Sequence, residues 1–196
     1  EENDRTYLVT CKHTLFGDDY VQNPTMISYL EILYNAFGNV SNTSSPPGKI
    51  SPTGYKSLDS KTCRIDFASS PINVLEHISK DVDVVLVDVS NCNIDYSFAY
   101  RFSLENFPAD DIVIGPSDPL IVVGYPLDFW DPSTNLPLAR AATIATPYGL
   151  AYKKRPVFLT DAILHPGMSG SPILLGTNNI IRKTSGFENK GTPQKI

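Results

Sequence analysis

His165-Pro166-Gly167-Met168-Ser169-Gly170-Ser171-Pro172 sets a serine inside a glycine-rich turn. Glycine accepts backbone conformations that other residues resist and brings no Cβ, so such a turn can aim two amides and a hydroxyl at one point. Attack on a carbonyl needs that arrangement, because backbone N–H groups must meet the charge that develops on oxygen. The stretch points to a hydrolase. Small residues and proline also mark ordinary loops, so the reading depends on the groups upstream: a general base to take the hydroxyl proton, and a carboxylate to orient that base.

Working outward, short β-branched and aromatic runs alternate with Pro, Gly, Asn and Asp clusters, which predicts an all-β barrel or sandwich. Expected strands are Thr6 to Thr10, Ile27 to Tyr34, Thr62 to Phe67, Val82 to Val89, Leu120 to Val123, Ala139 to Ala145, Val157 to Thr160 and Pro172 to Leu175. Helical periodicity is scarce, and the 16 prolines suit connections rather than helix interiors. Gly38 to Ser60, rich in Ser, Asn, Pro and Gly, reads as an exposed loop. Phe107-Pro108-Ala109-Asp110-Asp111 interrupts the strand pattern, which divides the chain into two lobes, 1–107 and 108–196.

A length of 196 residues, with 41% hydrophobic and 19% charged residues, places the chain among ordinary globular proteins. The formal net charge of -5 provides no field to gather nucleic acid. The longest strongly apolar runs, Val84 to Val87 and Leu120 to Val123, fall far short of the roughly 20 residues that span a bilayer. Neither a nucleic-acid partner nor a membrane span is expected. Cys11, Cys63 and Cys92 form no C-x-x-C pair and read as structural thiols. Their odd number favours a reducing compartment, whereas Asn39-Val40-Ser41 and Asn42-Thr43-Ser44 are glycosylation-type triplets.

Tyr7-Leu8-Val9-Thr10-Cys11-Lys12-His13 is an alternating strand that ends in a histidine, where an imidazole can meet solvent and substrate; alone, it also fits a surface residue. Val82-Asp83-Val84-Val85-Leu86-Val87 sets a carboxylate at the start of an apolar strand, where burial demands a hydrogen-bond partner such as an imidazole N–H. Asp81 and Asp88 fit ordinary strand-end charges. His77 reads as an exposed loop residue, and His165 as lying toward a pocket rim rather than at Ser169.

Taken in order, these segments resemble the trypsin-like serine peptidases of the chymotrypsin clan, the HtrA-type and related domains among them. Leu8-Val9-Thr10-Cys11-Lys12-His13 is similar to that family's V-T-x-x-H, and Asp83-Val84-Val85-Leu86 to its D-[IVL]-A-[LV]. Leu159-Thr160-Asp161-Ala162 through Pro166-Gly167-Met168-Ser169-Gly170-Ser171-Pro172 is similar to its T-D-A…G-x-S-G-[GS]-P, and Gly124-Tyr125-Pro126 resembles the G-[YF]-P that opens the second barrel. The order His, Asp, Ser is that of the chymotrypsin arrangement. The resemblance covers residues 6 to 175.

It implies a two-lobed antiparallel double β-barrel with His and Asp in the first lobe and the nucleophile in the second. Ser169 would be the nucleophile, His13 the general base and then acid, and Asp83 the carboxylate that fixes its tautomer. Gly167 and Ser169 would supply the oxyanion N–H groups, and Ser171 is the rival serine. Such chemistry acts on a peptide or protein substrate and needs no metal or cofactor. Met168 stands where trypsin-type zymogens place an aspartate, so the turn must be organised by loop packing. Ala162, Ile163 and Leu164 would line the substrate pocket, with Ile163 where trypsins place an aspartate, and an apolar floor disfavours cleavage after Lys or Arg. The leading strand before His13 is expected to be absent, and Asn178 to Ile196 to be loop-like, leaving the second barrel incomplete. An inactive peptidase-like protein-binding module is the competing reading.

Overall fold

The computed structural model describes residues 5–18, 26–36, 59–67, 73–96, 101–129, 136–176 and 180–189. The expected loop from Gly38 to Ser60 lies outside these residues as far as residue 58, as do the two glycosylation-type triplets. The chain divides into two compact units, Glu1–Arg101 with Phe129–Leu136, and Phe102–Asp128 with Pro137–Ile196.

In the first unit, alternating apolar residues build β1 (Tyr7–Thr10), and after it comes a five-residue helix, α1 (Lys12–Phe16). Then follow β2 (Tyr29–Ala36), β3 (Asp59–Asp66), β4 (Val74–Glu76) and β5 (Val85–Asp88). The strands pair antiparallel as β1-β5-β4 and β2-β3, with Tyr7 opposite Asp88 and Thr10 opposite Val85. Strand period two sends Val85 and Val87 to one face, where they are buried with Leu15, Ile65 and Val89. Burying each such side chain stabilises the fold by about 1.5–3 kcal/mol.

Two expectations change here. His13 lies in the first turn of α1 rather than at a strand end, because Leu15 must turn inward to fill the core and Gly17, at φ 81°, stops the helix. β5 begins only at Val85, so Asp83 sits in the loop before the strand.

The second unit contains β6 (Pro119–Gly124), β7 (Leu138–Thr143), β8 (Ile173–Leu175), β9 (Ile180–Lys183) and β10 (Gly186–Asn189). β6 is the central strand of an antiparallel sheet, β7-β6-β8, and β9 pairs with β10. Leu120 and Val122 point into a core with Ile114, Ala142, Ile144 and Met168. Val157 to Thr160 forms only an isolated bridge from Thr160 to Ile144. The cause is local: the Thr143 N–H donates to the Asp161 carboxylate, which interrupts the regular ladder at that point.

Within Asn178 to Ile196 the expected loop gives way to the β9-β10 hairpin, tied back by an Ile112–Lys183 bridge and by the Thr184 N–H donating to the Asp111 carbonyl at 2.9 Å. Among the described residues strand is the dominant regular structure, α1 is the one α-helix, and no sheet closes into a barrel. The all-β class therefore holds.

Candidate active site

The first amides of a helix have no acceptor inside it. In α1 one of them, His13 N–H, donates to Asp83 Oδ1 at 3.1 Å, and the His13 ring presents Nδ1 to Asp83 Oδ2 at 2.5 Å. A carboxylate only accepts, so Nδ1 carries the proton, and in the neutral ring Nε2 then holds the lone pair. One carboxylate thus fixes both the backbone position and the tautomer of the imidazole. The expected burial of Asp83 is only partial: the Asp83 side chain is 36% exposed and that of His13 31%, which leaves the ring reachable from solvent.

Sequence reasoning missed Lys12. This lysine is buried, and its Nζ donates to the carbonyls of His77 at 3.3 Å and Ser79 at 3.5 Å while pairing with Glu76 at 3.5 Å. An ammonium survives such burial only with partners, and these are the last residue of β4, Glu76, and two carbonyls of the loop that leads from it to Asp83. Lys12 therefore pins the segment that carries the carboxylate. His77 is exposed, as read from sequence, and its Nδ1 accepts from the Ser79 N–H at 3.1 Å. Cys11 was also missed: one donor atom each from Cys11, His13 and Asp83 falls within 4.8 Å of the others.

In the second unit, Gly167 and Gly170 take φ 87° and 79°, and a Cβ on Gly167 would strike the Tyr125 carbonyl oxygen. Only glycine fits there. Leu127 N–H donates to the Pro166 carbonyl at 2.6 Å. Across a trans peptide the carbonyl and the following N–H point opposite ways, so this bond turns the Gly167 N–H to the other side. Among the described residues that N–H has no acceptor. Met168 between them is 4% exposed and packs into the core, while Ser169 is exposed. Ser171 is half-buried, and its Oγ takes the space that a Cβ on Gly124 would need, which explains the glycine of Gly124-Tyr125-Pro126. His165 is half-buried, and its carbonyl accepts from Met168 N–H at 3.1 Å.

A cavity of about 330 Å³ is lined by residues 140–143 and 161–163. Ala162 and Ile163 belong to it, whereas Leu164 is exposed outside its lining. The lining is less apolar than its sequence suggested, since Arg140 and Asp161 also contribute. The Thr143 backbone N–H at 2.5 Å and its hydroxyl at 2.9 Å both donate to Asp161 and hold that carboxyl below its usual range.

Among the described residues no helix is long and apolar enough to cross a membrane. Comparison with protein-family models, with curated proteins and with solved structures gives no match to this chain.

Proposed function

We propose that the chain is a serine endopeptidase of the trypsin-like kind, built as a double β-barrel and acting through an acyl-enzyme on a peptide or protein substrate. The observation that carries the reading is the twofold acceptance of His13 by Asp83, at the backbone N–H and at Nδ1. A carboxylate in that relation serves a base, because it stabilises the imidazolium and leaves Nε2 to take a proton. The exposed Ser169, next to a Gly167 amide turned away from Leu127, supports the same chemistry.

In this reading Ser169 Oγ attacks the carbonyl carbon while His13 Nε2 removes its proton. The N–H groups of Gly167 and Ser169 receive the oxyanion, and His13 then protonates the leaving amine. Water repeats the sequence on the acyl-enzyme with the same base. Ala162 and Ile163 favour an apolar side chain before the scissile bond. The hairpin β9-β10, where a loop was expected, removes one reason to read the chain as a binding module only.

Labelling by a fluorophosphonate probe, mapped by mass spectrometry beside an active control, tests the proposal. Label on Ser169 is expected, lost in Ser169→Ala, with turnover in Asp83→Asn lower by about 10⁴, as in the template triad. Folded full-length protein that takes no label overturns the reading in favour of the binding module.

A further inference from the structure

We propose that Cys11, His13 and Asp83 form a site for a borderline-soft divalent cation of the zinc class. The three donor atoms lie within 4.8 Å of one another, each on a half-buried residue. Ligands on a tetrahedral zinc stand about 3.5 Å apart when its bonds are roughly 2.0–2.3 Å long, so rotations of side chains already gathered at one point close the shell. The backbone helps: Cys11 is the residue before α1 and His13 is in its first turn, so one short segment delivers two ligands. Asp83 arrives from the loop before β5, held by the His13 amide.

The donor chemistry selects the ion. Thiolate and imidazole suit zinc, whereas calcium and magnesium demand oxygen. One thiolate, one carboxylate and a neutral imidazole balance a divalent charge, and three protein ligands leave a fourth position for water. Cys11 is a thiol rather than half of a disulfide. Cys92 is a poorer candidate, since burial pushes its thiol pKa up.

Nδ1 is the ring nitrogen that faces Asp83. To bind a metal there, the imidazole gives up its Nδ1 proton and takes one at Nε2, while the Cys11 thiol releases one proton to solvent. The net change is one proton released per ion. The metal and the Nδ1–H···Asp83 hydrogen bond therefore exclude each other, and a protonated Nε2 accepts no proton from a serine. The site itself does not depend on the peptidase reading; inhibition by zinc does rest on it.

Cobalt(II) and zinc(II) titrations of the full chain test this. A near-ultraviolet thiolate-to-cobalt band at one equivalent, displaced by zinc and retained in Cys92→Ala, is expected. Cys11→Ser and, separately, His13→Gln should abolish the band with circular dichroism unchanged, and weaken zinc binding beyond the roughly 10–100-fold typical for loss of an outer-shell partner. Absence of the band in wild type, or its persistence in Cys11→Ser, overturns the site. Zinc should also block fluorophosphonate labelling of Ser169, with recovery on chelation. A chain that binds cobalt through Cys11 yet never takes the probe keeps the metal site and loses the peptidase.

Discussion

Leu127 donates its backbone N–H to the carbonyl of Pro166 at 2.6 Å, and this bond sets the direction of the next amide. Leu127 itself is held at φ 53°, a left-handed conformation that a branched side chain adopts only when its surroundings require it. The strain and the bond belong together: the segment after Gly124-Tyr125-Pro126 is shaped to hold the Pro166 carbonyl, which turns the Gly167 N–H away from Leu127.

Gly167→Ala should damage that amide. The new Cβ meets the Tyr125 carbonyl oxygen at a φ of 87°, so the turn must shift. A strained residue of this kind costs roughly 1–3 kcal/mol. The expected result is a folded protein, by far-ultraviolet circular dichroism, whose fluorophosphonate labelling is much slower than wild type. Labelling at the wild-type rate counts against an oxyanion role for Gly167.

Met168 anchors the same turn from below, being 4% exposed in a core with Leu120, Val122 and Ile144. Met168→Leu keeps the volume and should cost less than about 1.5 kcal/mol, whereas Met168→Ala opens a cavity and should cost about 2–5 kcal/mol. Urea unfolding gives the stabilities, and labelling of Ser169 should fall in the same order. Equal stability of the two variants would show that the turn does not hang from this side chain.

Lys12→Met should loosen the loop that brings Asp83 to His13. It strips the ammonium from the His77 and Ser79 carbonyls, and a hydrogen bond to a charged group contributes about 1.5–3 kcal/mol. The expected outcome is a destabilisation of that order in urea, with weaker protection of the His13 amide in hydrogen exchange. Protection equal to wild type would mean that Asp83 is placed without help from Lys12.

What the sequence could and could not show follows from physical scale. His13 and Asp83 are 70 positions apart, yet both were legible, because His13 follows an alternating strand and Asp83 opens a continuous apolar run. Five residues are too few for helical periodicity to declare itself, so α1 was hidden, and with it the reason why the His13 N–H is available to Asp83. Lysine carries no local mark of burial, and Lys12 is buried only because carbonyls distant in sequence accept from it. Cys11 escaped notice for a related reason. Metal spacing patterns look for ligands close in sequence, and here the third comes from residue 83. The β9-β10 hairpin lacks a continuous apolar run in its sequence, so only its backbone pairing reveals it.

Asp161 should titrate below the usual aspartate value near 3.8, because the Thr143 N–H first and the Thr143 hydroxyl second donate to its charged form. A carboxyl whose folded pKa is depressed binds its proton less tightly in the folded than in the unfolded chain. Its contribution to stability is therefore present above the unfolded value and is lost as pH falls through the folded one. Thr143→Val removes the hydroxyl but keeps the backbone donor, so the Asp161 pKa should rise only part of the way back. Carboxyl-carbon NMR titration of the wild type and the variant measures both values. A wild-type pKa at or above the usual value would show that the Thr143 clamp, which also interrupts the ladder beside the cavity, is not formed in solution.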